Sequence, residues 1–151
     1  MPNPTINQLS EEQTNNKSVI NFSIDDGFIS LRCLSPKKLR FEIEYSLGKG
    51  TTSNSFLFYK KQDLTAVLTN PPGSNFEEVF LPALNKTIPK SLKELIVIVG
   101  HINPNRVNLL RKLSKQYNNL TIICSNPGGK LLKELWTQVK PTKANNTTPK
   151  P

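Results

Sequence analysis

The 151-residue sequence predicts a mixed α/β fold, with a sheet that is antiparallel in its first half and parallel in its second, flanked by helices. Three observations carry this expectation. Before residue 70 the chain holds paired β-rich runs separated by turn signals. The stretch LIVIVGHINPNR, residues 95–106, reads as an apolar strand, a glycine, the only histidine, and a proline that opens a helix. A second apolar run, residues 120–124, follows that helix after a short joint, completing a βαβ unit. Ligands of such units gather beyond the carboxyl ends of the strands, where His101 and Ser125 both fall.

Taken in order, residues 1–17 are rich in Asn, Gln, Thr and Pro and hold almost nothing apolar, so they are expected to form a disordered arm. Residues 19–24 and 28–34 are β-rich and are joined by Asp25-Asp26-Gly27, which predicts a hairpin. Phe41, Ile43 and Tyr45 alternate with Glu42 and Glu44, as in a half-exposed strand, before a turn at Gly48 and Gly50. Residues 54–59 and 64–68 make a second hairpin around a polar joint of hairpin length. After the loop Asn70-Pro71-Pro72-Gly73, Ser74 is expected to cap a helix that buries Phe76, Val79, Phe80 and Ala83 or Leu84, with Pro82 as a disturbance.

The run at 95–99 does not alternate, which predicts a strand covered on both faces. Asn103 reads as an N-cap with Pro104 at the first helical position. Val107, Leu110, Leu113 and Tyr117 share one face of that helix, with Arg106 and Arg111 largely away from it. Ser125-Asn126-Pro127-Gly128-Gly129 begins a last amphipathic segment, with Leu131, Leu132, Leu135, Trp136 and Val139 spaced for a helix face, and 141–151 read as a flexible tail or linker. One ordered domain over 18–140 follows, whose sheet keeps an edge or face for another segment to cover.

Twenty basic residues against eleven acidic give a formal charge of +9. They are scattered, with no Arg-rich block and no interleaved aromatics, so a solvated basic surface is expected and no specific nucleic-acid partner. Cys33 and Cys124 each fall in a predicted strand, which suits reduced core thiols. No run is long enough to cross a bilayer and the start lacks the features of a signal peptide, so a cytoplasmic protein without membrane insertion is expected.

His101 sits where a metal-binding loop would begin, but its neighbours are Asn103, Asn105 and Arg106, two weak neutral ligands and a cation. A hydrogen-bonded histidine without metal is the expectation. The Asn126-Pro127-Gly128-Gly129-Lys130 turn has glycines at a helix start, yet its spacing is not that of a phosphate-binding loop. Ser55, Ser125 and His101 supply hydrolase residue types without a nucleophile elbow or a placed acid, so no catalytic residue is assigned.

The runs LRFEIEYSLGKGTTSNSFLF (residues 39–58) and LPALNKTIPKSLKELIVIVGHINPNRVNLLRKL (residues 81–113) resemble the start of the metallo-β-lactamase-like domain of flavodiiron proteins, specifically the cyanobacterial and chloroplast diflavin type. The resemblance covers about residues 19–136 and is most specific at G-T-T-x-N-S-F-L, residues 50–57. It implies the N-terminal half of an αββα sandwich. The family's strand at 95–99 leads into an iron-binding H-x-E-x-D-H loop, whereas here the loop reads H-I-N-P-N-R. By resemblance His101 is the vestigial ligand, and Asn103, Asn105 and Arg106 stand at degenerate ligand positions.

The family is an oxidoreductase using di-iron and FMN, and no cofactor is expected in this chain. The implied function is the N-terminal part of an NAD(P)H:oxygen oxidoreductase that reduces O2 to water, with a degenerate di-iron site and no catalysis by itself. Its expected partner is a related flavodiiron chain or the missing C-terminal portion. The alternative is a stand-alone, non-catalytic interaction module for an acidic protein or nucleic acid.

Overall fold

Among the described residues, seven strands lie in one sheet in the order in which the chain makes them. They are β1 Asn7–Thr14, β2 Lys17–Asp25, β3 Phe28–Ser35, β4 Thr51–Lys60, β5 Thr65–Thr69, β6 Glu94–Ile98 and β7 Leu120–Ile123. The first five pair antiparallel, and β5, β6 and β7 pair parallel. A 3-10 turn, Ser74–Phe76, leads into α1 Glu77–Thr87, which joins β5 to β6; α2 Pro104–Gln116 joins β6 to β7, and α3 Asn126–Gln138 follows β7. This computed structural model describes residues 7–14, 16–36, 50–60, 62, 64–89 and 91–138. The strand expected around Phe41, Ile43 and Tyr45, the turn at Gly48, Val139 and the tail over 141–151 lie outside the described residues.

The two predicted hairpins are β2–β3 and β4–β5. Gly27 turns the first at φ 70°, and a Cβ there would stand 2.3 Å from the carbonyl oxygen of Tyr59. Only glycine lets β4 approach the turn that closely. Residues 7–14, expected in a disordered arm, instead form β1 on the edge of β2. The expectation weighed side-chain burial, but a strand on an open edge is held by its backbone ladder, to which polar residues contribute as fully as apolar ones.

One face of the sheet is roofed by helices. Leu31, Leu57, Leu68, Leu95 and Val97 point into it and are fully buried with Phe76, Phe80, Leu84, Leu110 and Leu113 from the helical side. Each such Leu, Val or Phe stabilises the fold by roughly 1.5–3 kcal/mol over its exposed state. In α1 the buried set is Val79, Phe80, Ala83 and Leu84, as the helical spacing predicts. Ser74 does not cap this helix with its side chain; it lies in the leading 3-10 turn, and the start is favoured instead by Glu77 and Glu78 in the first turn. Pro82 sits on the exposed side of α1, where water can satisfy the carbonyl that its missing N–H leaves unpaired.

The opposite face differs from the sequence expectation. The strand run at 95–99 buries Leu95, Val97 and Val99, but Ile98 is 40% exposed and Ile96 is half-buried. A continuous apolar run reports that both faces are apolar; it does not report that the chain itself covers both. Both cysteines are free thiols, Cys33 buried in β3 and Cys124 half-buried just past the end of β7. Among the described residues, no helix is long and apolar enough to cross a membrane.

Candidate functional site

The carboxyl ends of β5, β6 and β7 converge on three loops, and Asn70 ties two of them together. It follows β5 with φ 45°, in the left-handed region that asparagine tolerates better than most residues. Its N–H donates to the Ile98 carbonyl at 2.8 Å, and its Oδ1 accepts from the Gly100 N–H at 3.1 Å. The Ser55 hydroxyl, fully buried in β4, donates to the Asn70 carbonyl at 2.8 Å. Ser55 is thereby a strut under the loop, with its oxygen turned to the backbone.

Asn103 caps α2, as its position before Pro104 predicts: its Oδ1 accepts from the Arg106 N–H at 2.8 Å. Arg106, in the first turn, reaches back across the loop. Its Nε donates to the Pro71 carbonyl at 2.9 Å and its Nη1 to the His101 carbonyl at 2.7 Å. The sequence placed this side chain largely away from the buried helix face, but the guanidinium clamps two main-chain loops. Pro71, Pro72 and Gly73 are buried beneath it, an unusual place for a loop and one that needs such donors for its carbonyls. Asn105 lies exposed on the first turn of α2.

Ser125 caps α3, its Oγ accepting from the Gly128 N–H at 3.3 Å and its carbonyl from the Gly129 N–H at 2.8 Å. His101, Ile102, Ser125, Pro127, Gly128 and Leu131 line a cavity of about 230 Å³ together with Val99 and Gly100. The structure therefore brings His101 and Ser125 together, as the βαβ reading expects, while Asn103, Asn105 and Arg106 are not among the lining residues. His101 is exposed at the rim. Among the described residues, no three His, Cys, Asp or Glu side chains gather into a metal-binding group. Asn70 and Pro71 were not singled out as site residues from the sequence, although the Asn-Pro-Pro-Gly run after a strand is the signal that marks them.

No family model matches the chain. Individual proteins do. Diflavin flavoprotein A 6 of Nostoc sp. is 43% identical over 117 residues, 77% of this chain and 20% of the relative. The crystal structure of a fragment, residues 1–254, of diflavin flavoprotein A 5 from Nostoc sp. superposes with a TM-score of 0.69 at 34% identity, over 80% of this chain and 47% of that one. The chain belongs to the diflavin flavodiiron family. A metal-soaked flavodiiron core from Synechocystis sp. agrees, with a TM-score of 0.71 at 34% identity over 81% of this chain and 29% of the core. The match is to the N-terminal part of the flavodiiron metallo-β-lactamase-like domain, and the chain spans about a fifth of the length of the Nostoc A 6 relative.

The segment that carries the flavodiiron resemblance most specifically, residues 50–57, does structural work here. Gly50 has φ 91°, and a Cβ on it would stand 2.2 Å from the Ser35 carbonyl oxygen. Thr51 is buried opposite Ser35 as β4 begins, and Ser55 braces Asn70. The flavodiiron signature thus fixes the entrance of β4 and the floor of the loops around His101.

Proposed function

We propose that this chain is the N-terminal part of a diflavin flavodiiron NAD(P)H:oxygen oxidoreductase, an electron-transfer system that reduces O2 to water, and that its di-iron site is degenerate. On this reading the chain holds no cofactor and does not catalyse by itself. It works in the cytoplasm with a related flavodiiron chain or with the C-terminal portion of such a protein, which would bring the iron and FMN chemistry.

The observation that carries the reading is the use made of the loop His101-Ile102-Asn103-Pro104-Asn105-Arg106. The oxygen of Asn103 is committed to the Arg106 N–H, and the Arg106 guanidinium is committed to the carbonyls of Pro71 and His101. A pair of irons takes carboxylates and neutral imidazoles, and a fixed cation in the same loop repels them. One imidazole, a capping amide, an exposed amide and a guanidinium do not fit that donor set, so no step of the oxygen chemistry runs through these residues.

Metal analysis after anaerobic reconstitution with ferrous iron and desalting tests this. The expected result is no stoichiometric iron, and no change on His101→Ala. Two tightly held irons per chain, lost in His101→Ala, would overturn the degenerate site.

A further inference from the structure

The last helix is held differently from the other two. α1 buries Val79, Phe80, Ala83 and Leu84, and α2 buries Val107, Leu109, Leu110 and Leu113. None of residues 126–137 in α3 is buried: Leu132, Leu135 and Trp136 are half-buried and Leu131 is exposed. The helix also gains little from its own sequence. Gly128 and Gly129 stand near its start, where they lower its intrinsic stability, and it has no acidic residue in the first turn and no basic residue in the last to meet its dipole.

The cation that meets the carboxyl end of α3 comes from α2. Arg111 donates from Nη2 to the carbonyl of Leu135, at 2.6 Å, and to that of Trp136, and its guanidinium carbon lies 5.5 Å from the centre of the Trp136 ring. Nη1 of the same group is buried and, among the described residues, has no hydrogen-bond partner. A buried donor left unmade offsets much of what the made bonds contribute, whereas water satisfies every donor of a free guanidinium. The contact is therefore weak for a charged group. At the amino end of α3, Pro127 and Gly128, with Leu131 one turn on, help line the cavity that His101 also lines.

We propose that α3 is a hinged wall of the cavity beside His101, turning about residues 125–129, with Arg111 as the latch at its carboxyl end. With the latch made, Leu131 closes the cavity, and Leu132 and Trp136 share an apolar groove with Ile122 of β7. With the latch broken, the guanidinium recovers its hydration, α3 lifts, and the cavity and the helical side of β7 open together. α2 stays in place, because its own buried leucines hold it to the sheet. The motion is a local opening of the least anchored helix and needs no global unfolding. Arg111 is a positioning residue in it, and the device stands independently of the iron reading.

Native-state hydrogen exchange of the 151-residue chain, read by mass spectrometry on peptides from each helix, tests the hinge. The amides of residues 130–137 are expected to exchange together, about tenfold or more faster than those of α2 and with little dependence on dilute urea. Arg111→Met, which keeps an apolar stem, is expected to quicken exchange in α3 by about tenfold and to leave α1 unchanged. Gly129→Ala is expected to slow exchange in α3 by about fourfold, because alanine favours the helix. A Cβ at that position would stand 3.9 Å from Cys124 Sγ, an ordinary contact, so the substitution brings no clash. An α3 that exchanges only together with α2 overturns the proposal, and so does Arg111→Met that quickens all three helices alike or leaves α3 unaltered. Gly129→Ala without slower exchange in α3 overturns the hinge in the same way.

Discussion

The Arg106 guanidinium donates from Nη1 to the main-chain oxygen of His101, five residues back, at 2.7 Å. The same group holds Pro71 through Nε. One side chain thus fixes the loop after β6 to the loop after β5, by two charge-assisted bonds to main-chain carbonyls.

Arg106→Ala is therefore expected to destabilise the chain by about 2 kcal/mol in urea unfolding, since hydrogen bonds to a charged group contribute roughly 1.5–3 kcal/mol each when shielded and less when partly exposed. Arg106→Lys keeps the charge but lacks the planar fork, and is expected to recover less than half of the loss. An alanine variant within about 0.5 kcal/mol of the parent would show that the clamp contributes nothing.

Asn70 is expected to be the second sensitive loop position. Asn70→Ala removes the acceptor of the Gly100 N–H and places a residue with no side-chain compensation at φ 45°, a combined cost of about 2 kcal/mol. Asn70→Gly removes only the acceptor and costs about 1 kcal/mol. Chemical denaturation that ranks alanine above glycine would contradict the strained-turn account.

Stability is expected to fall in alkali. Burial pushes the Cys33 thiol from 9.0 up to about 12, and the Tyr117 phenol from 10.0 up to about 12. Both groups hold their proton in the folded chain where the unfolded chain has released it. Their contribution is complete below about pH 9, the ordinary thiol range, and is lost as the pH rises towards 12. The urea midpoint should decline over that window, and less steeply in Tyr117→Phe.

The same burial separates the two thiols kinetically. At about pH 8 a thiolate-directed alkylating reagent is expected to modify the half-buried Cys124 in the native chain and to spare Cys33 until the chain unfolds. Mass spectrometry of native and urea-treated samples reads the difference, and equal labelling of both in the native state would contradict the buried position of Cys33.

Hairpins and the βαβ unit were legible in the sequence because their signals are local: alternation, a turn triplet, an N-cap followed by proline. The cap at Asn103 and the pairing of His101 with Ser125 around one cavity follow from those signals alone. Arg106 was not legible, because its partners are main-chain oxygens, which every residue carries and no sequence distinguishes. β1 was missed for a related reason, since backbone pairing to an edge leaves no trace in hydrophobicity. The exposed side of β6 was misread because Ile96 and Ile98 are apolar whether this chain or another one covers them.

The sheet order repeats the chain order from β1 to β7. Among the described residues, no strand has to wait for a partner made much later, and none must be threaded between two already paired. Each addition closes only the loop or helix just synthesised, so the entropy of chain closure is met in small steps. The chain can therefore assemble from its amino end while it is still emerging from the ribosome, with β7 as the growing edge.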